Sequence, residues 1–118
     1  AMSHMVGAEC DTHHGLTNAV LLPPVLLFNK NALIQKSPQI SQAMGLLSQD
    51  FEGMYSGVVE LLDTLEIPRG LSDLQVPEKH LEIIAEKAFT DAARSTNPVS
   101  SSVSEIRELL EVSFYKAR

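Results

Sequence analysis

The chain has 118 residues, 44% of them hydrophobic, a formal charge of −6 and a single cysteine. That length supports one domain burying about 65% of its unfolded surface, and the apolar content is too high for a disordered chain. The acidic balance, without any Lys/Arg cluster, argues against nucleic acid or an anionic membrane as partner, and Cys10 alone excludes an internal disulfide framework, which makes the reducing cytoplasm the default compartment.

In chain order, the first element the sequence announces is a helix from Leu16 to Phe28, starting behind Gly15. Thr17 or Asn18 is placed to accept backbone N–H bonds near its start. Pro23 and Pro24 are expected to break or kink it, since each removes a donor and crowds the preceding turn. The apolar run Ala19 to Phe28 falls well short of the ~20 residues a membrane span needs. Ser37-Pro38 is a helix-start signal and predicts a short helix through Ala43-Met44, ending before Gly45.

Asp50 opens the clearest helix. Phe51, Met54, Tyr55, Val58, Leu61, Leu62 and Leu65 fall at steps of three and four and predict an inward apolar stripe. Within it, Gly53 and Gly57 are either a place of close approach or tolerated breaks in propensity. Ile67-Pro68-Arg69-Gly70 ends the helix, and Leu71 to Val76 reads as a short turn. Pro77-Glu78 starts a further helix with stripe Leu81, Ile84, Ala85, Ala88 and Phe89. Ser95 to Ser102 is a polar loop. A last helix runs from Ser102 to Tyr115, with Ser102 and Glu105 as a capping box and Val103, Ile106, Leu109, Leu110 and Phe114 facing inward. No strand-like alternation occurs, so the predicted class is all-α, a helical bundle forming one domain over 1–118. There is no internal repeat, Gly-rich phosphate loop, Cys-pair zinc site or His-Glu-x-x-His.

The residues with most chemistry are His13 and His14, placed just ahead of Gly15 and a strongly apolar stretch. Adjacent helical residues point about 100° apart, so only one of the pair reaches a given ion. By themselves they are open to several readings: a ligand, a cap, a surface pair or a satisfied core histidine. Glu9, Cys10 and Asp11 are too local to close a coordination sphere.

The order His14-Gly15-x-x-Asn18-Ala19, followed by apolar-Pro and then Phe28-Asn29, resembles the metal-binding signature of the iron-containing alcohol dehydrogenases. Ile67-Pro68-Arg69-Gly70-Leu71-Ser72-Asp73-Leu74, with Val76-Pro77, resembles a second segment of that family. Phe89-Thr90-Asp91 through Thr96-Asn97-Pro98 resembles a third, in the right order. The resemblance implies the C-terminal part of a dehydroquinate synthase-like, iron alcohol dehydrogenase fold, whose N-terminal α/β domain binds NAD(P) and whose helical domain holds a metal through one Asp and three His. His14 matches the last of those ligands. His4, ten positions before it and followed in register by Gly7-Ala8, matches a histidine beside the nicotinamide with a proton-transfer or positioning role. Ser3-His4-Met5 also reads as the scar of a cleaved tag, and both origins stand.

The resemblance further implies Fe²⁺ (or Zn²⁺) and NAD(P) as cofactors, a small-molecule alcohol as substrate, and a substrate pocket lined by Ala93 to Pro98. The other ligands and the dinucleotide-binding half are not in these 118 residues, so they are expected to be a C-terminal fragment. Alone, the fragment is expected to bind neither cofactor tightly and to be inactive. Apolar surface within Val20 to Phe28 predicts a homo-oligomer. The competing class is a non-enzymatic helical interaction module. A weaker rival is a self-contained metal site built from His4, His13 and His14.

Overall fold

A computed structural model describes residues 1–118, and the chain is all-helical, without a strand. Its helices are α1 (Met2–Cys10), α2 (His14–Phe28), α3 (Lys30–Leu33), α4 (Ser37–Ala43), α5 (Phe51–Thr64), α6 (Leu81–Thr90) and α7 (Val103–Tyr115). Short 3₁₀ turns at Leu71–Leu74, Glu78–His80 and Ala92–Thr96 connect the later ones.

The core is built where α1, α2, α6 and α7 meet. Val6, Val20, Leu81, Ile84 and Leu110 are its fully enclosed members, and Leu71 from the first 3₁₀ turn completes it. Each such aliphatic side chain contributes about 1.5–3 kcal/mol through burial. The stripes of α6 and α7 face this core largely as the sequence predicts: Leu81, Ile84, Ala85 and Ala88 on one, Ile106, Leu110 and Phe114 on the other.

Helix α5 is peripheral. It packs on α4 and α2 and buries Phe51, Met54 and Leu62, while Leu61 and Leu65 of its expected inward stripe are 52% and 60% exposed. The stripe is real, but only part of its width has a partner within the chain.

The caps explain the boundaries. Asp50 accepts the Gly53 N–H at 2.7 Å and starts α5. Ser102 and Glu105 form the expected box, with Ser102 Oγ accepting the Glu105 N–H at 3.1 Å and Glu105 Oε2 accepting the Ser102 N–H at 2.7 Å. Helix α4 starts at Ser37-Pro38 as expected, and the buried Ser37 hydroxyl donates back to the Leu33 carbonyl at 2.6 Å.

Two expectations are corrected and one open alternative is decided. Of the break or kink expected at Pro23 and Pro24, the break does not occur: helix α2 is continuous through both, which are buried, and runs on to Phe28. The carbonyls of Ala19 and Val20, four residues earlier, lose their helical donors, and enclosure of both rings by the surrounding helices stabilises the segment against a break. The start of α2 is capped by neither Thr17 nor Asn18. His13 holds that position, its Nδ1 accepting the Leu16 N–H at 3.3 Å, while the buried Thr17 hydroxyl donates to the His13 carbonyl at 3.0 Å. Finally, Gly53 and Gly57 are close-approach positions: a Cβ on Gly53 would lie 2.0 Å from the Ser48 carbonyl oxygen, and one on Gly57 2.6 Å from Leu46 Cδ1. The segment before α5 folds back on it there.

The C-terminus is tied to the end of α5. The Ala117 N–H donates to Arg69 O at 2.7 Å, and the enclosed Arg118 guanidinium donates to the carbonyls of Ile67 at 2.6 Å and Pro68 at 3.1 Å. Its Nε donates to Asp63 at 3.0 Å. This clamp fixes α7, and α7 in turn supports α2 and α6, which carry the residues of the site.

Candidate functional site

Helix α1, which the sequence did not announce, brings His4 to His14. The two imidazoles stack with centroids 5.5 Å apart and planes inclined by 17°. Helix α1 stops at Asp11, which adopts a left-handed conformation (φ 53°) and donates its N–H to Gly7 O at 2.9 Å. That stop lets the chain turn through Thr12 and His13 and start α2 with His14 at its first position. The ten-residue spacing of the histidines is therefore one helix, one turn and the start of the next.

His14 is exposed, and neither of its ring nitrogens is taken up by a hydrogen bond within the chain. His13, whose Nδ1 is committed to the cap, plays a structural part. The three histidines do not form a metal cage: no group of three or more His, Cys, Asp or Glu side chains is gathered where it could hold an ion. This removes the self-contained metal site built from His4, His13 and His14. The fourth histidine, His80, lies elsewhere, with its Nδ1 3.6 Å from Cys10 Sγ.

Across from the histidines runs the segment from Asp91 to Pro98. Asp91 ends α6, accepts the Ala93 N–H at 2.7 Å with Oδ1, and places Oδ2 3.3 Å from His4 Nδ1. The Ala93 N–H, first, and the His4 ring hold its carboxyl below the ordinary carboxylate range. Arg94 locks the middle of the segment, donating to Phe89 O at 2.7 Å and Ser101 O at 3.0 Å and stacking over the Phe89 ring. Asn97 closes it with a reciprocal amide pair to Asn29 at the end of α2. The sequence motifs contained Asp91, Asn29 and Asn97, yet their spacing alone assigned them no task. They lie 68 to 87 positions from their partners, and only the packing of α6 against α1, and of α7 against both α6 and α2, joins them.

This segment also lines a cavity of about 230 Å³, with Ala93, Asn97 and Pro98 on one wall and Met2, Val25 and Phe28 on the other. A shallower apolar groove of about 400 Å³ runs between the start of α1, α2 and α5, past Leu21, Leu22 and Leu62. Within Val20 to Phe28, Val20 and Leu21 are enclosed, whereas Leu22 and Leu27 are 40% and 48% exposed. No helix is long and apolar enough to cross a membrane.

Comparison with known proteins accounts for this arrangement. Residues 1–114 match the C-terminal part of the Fe-containing alcohol dehydrogenase family, a match that takes in both His4 and His14. The 1,3-propanediol dehydrogenase of Citrobacter freundii is 32% identical over 120 residues, covering 97% of this chain and 31% of that protein. The NAD-dependent methanol dehydrogenase of Bacillus methanolicus is 28% identical over 120 residues, covering 94% of this chain and 31% of that protein. A crystal structure of a 1,3-propanediol oxidoreductase superimposes with a TM-score of 0.88 at 33% identity, over 96% of this chain and 31% of the other. The chain thus spans less than a third of the length of the relatives it matches. A family match that spans residues 1–114 sets aside the reading in which the motifs of an unrelated interaction module coincide by chance. By sequence and by fold, this chain belongs to the Fe-containing alcohol dehydrogenase family and corresponds to its C-terminal helical domain.

Proposed function

We propose that these 118 residues serve as the metal-side helical domain of an NAD(P)-linked alcohol dehydrogenase, with His14 as one ligand of a divalent metal and His4 as the residue facing the nicotinamide. The observation that carries this reading is the stacked His4–His14 pair, standing at the mouth of α2 within the stretch that matches the family.

The donor chemistry fits. A neutral imidazole suits Fe²⁺ and Zn²⁺ alike, and His14 offers one with no competing bond inside the chain. One imidazole cannot hold the ion by itself, so the remaining ligands come from the part of the enzyme that lies outside these residues, as does the dinucleotide-binding fold. When bound, the metal supplies Lewis acidity to an alcohol oxygen and NAD(P) accepts hydride from the alcohol carbon. The chain's own residues do the rest of the work on this side: His14 presents a nitrogen at a fixed point on α2, His4 stands beside it, and Asp91 at the end of α6 holds the His4 ring.

The substrate is a small alcohol, in keeping with the alcohols named in the relatives. Leu22 and Leu27 on α2 and Leu61 on α5 are exposed, which supports burial of apolar surface on these helices against further protein, the rest of the enzyme and a second copy included. A single thiol suits a cytoplasmic setting.

The test is a chimera in which this chain replaces the matching 31% of the Citrobacter freundii enzyme. The chimera is expected to retain metal and reduce NAD⁺ in the presence of 1,3-propanediol. His14→Ala is expected to lose both, and His13→Ala to lose neither. Full metal content in a folded His14→Ala chimera would overturn the assignment. The isolated 118 residues are expected to form no NADH from alcohol.

A further inference from the structure

Asp91 is held in place before it meets His4. Its N–H closes the last turn of α6 on Ala88 O at 3.3 Å, and its Oδ1 is fixed by the Ala93 N–H at 2.7 Å. Only Oδ2 remains, and it lies 3.3 Å from His4 Nδ1, 87 positions away in sequence. The acid side chain is 13% exposed and the imidazole 51% exposed. The carboxylate is therefore the anchored partner and the ring is the one oriented.

Chemistry then fixes the proton. An ionised carboxylate can only accept, so Nδ1 must be the protonated nitrogen when the ring is neutral. We propose that Asp91 is the positioning residue of His4, holding its ring in the Nδ1–H tautomer and leaving Nε2, on the far side of Cε1, with an open lone pair beside the His14 ring. The depressed proton affinity of the Asp91 carboxyl keeps it an acceptor across the neutral range.

The functional meaning of this arrangement rests on the reading of His4 as the nicotinamide-facing residue, whereas the tautomer is a property of the chain itself. A neutral His4 with Nε2 bare can accept a hydrogen bond or a proton from a ligand hydroxyl and cannot donate one from that nitrogen. The orientation comes from α6, so the site is organised by an element that carries none of its ligands.

Two-bond ¹H–¹⁵N correlation spectra of the ¹⁵N-labelled 118-residue chain, metal-free and at a pH where the imidazoles are neutral, read the tautomer of each histidine directly. A His4→Gln sample identifies the signal. The native chain is expected to show His4 in the Nδ1–H pattern. Asp91→Asn keeps a carbonyl oxygen for the Ala93 N–H and turns an amide N–H₂ toward His4 Nδ1, so the pattern is expected to invert to Nε2–H while the backbone spectrum stays folded. A loss of loop order alone would give a mixture without inversion.

An Nε2–H pattern for His4 in the native chain overturns the proposal and needs no variant to do so. An unchanged pattern in Asp91→Asn overturns it as well. Because no metal or cofactor enters this measurement, its outcome is separable from that of the chimera: a fixed tautomer with an inactive chimera would sink the proposed function alone.

Discussion

Asn29 and Asn97, 68 positions apart, bond each other twice: each side-chain N–H₂ donates to the other's amide oxygen at 2.8 Å. Asn97 Nδ2 also donates to Val99 O at 2.7 Å. Asn29 is buried at the joint between α2 and α3. The pair therefore pins the far end of the Asp91–Pro98 segment to the far end of the helix that begins with His14. A carboxylate cannot take part in such an exchange, because it accepts and never donates when ionised.

Asn29→Asp is accordingly expected to set two oxygens against each other and cost about 1–3 kcal/mol, the usual penalty for an unsatisfied buried polar group. Urea unfolding of the chain measures the loss, and amide exchange should speed up first in residues 92 to 97. A change below about 0.5 kcal/mol, the range of ordinary surface substitutions, would mean that the pair contributes no constraint.

Gly70 and Gly7 make opposite predictions under the same substitution. A Cβ on Gly70 would lie 2.3 Å from Phe114 O and 2.7 Å from Tyr115 O, both backbone atoms at the end of α7. Gly70→Ala is expected to force that helix outward and destabilise by about 1–3 kcal/mol, as overpacking does. Around Gly7, inside α1, a Cβ would meet nothing within 4 Å. Gly7→Ala is expected to stabilise by about 0.5–1 kcal/mol through helix propensity. Thermal melts of the two variants should shift in opposite directions; a raised midpoint for Gly70→Ala would refute the close approach.

What the sequence made legible is what local physics decides. The capping box of Ser102 and Glu105, the cap at Asp50 and the inward stripe of α6 follow from short spacings, and all of them form. Helix α1 escaped notice because Val6 is its only buried residue and Gly7 interrupts it, so it carries no periodic stripe to read. Its helicity comes from packing on α2 and α6. The same physics hid half of the site. His4 and His14 are joined by a helix without a pattern, and Asp91 reaches them only through tertiary packing. His13 was legible as a candidate cap, yet nothing local distinguished that role from ligation until the Leu16 N–H is seen to donate to its Nδ1.

Cys10 offers a pH-dependent readout away from the histidine pair. Burial pushes its thiol up, and the neighbouring Glu9 carboxylate adds to the effect by repelling a thiolate. Its Sγ lies 3.6 Å from His80 Nδ1, a geometry in which a neutral thiol donates to a neutral imidazole. The folded chain thus holds this proton more tightly than the unfolded one does. The corresponding stability is fully present below the ordinary thiol pKa and is lost as pH rises through the raised one. Alkylation by iodoacetamide, which consumes the thiolate, should therefore show its inflection at higher pH in the native chain than in the same chain unfolded in urea. An inflection at or below the unfolded value would mean that His80 is an imidazolium paired with a thiolate, and that the Cys10 environment is electropositive instead of merely dry.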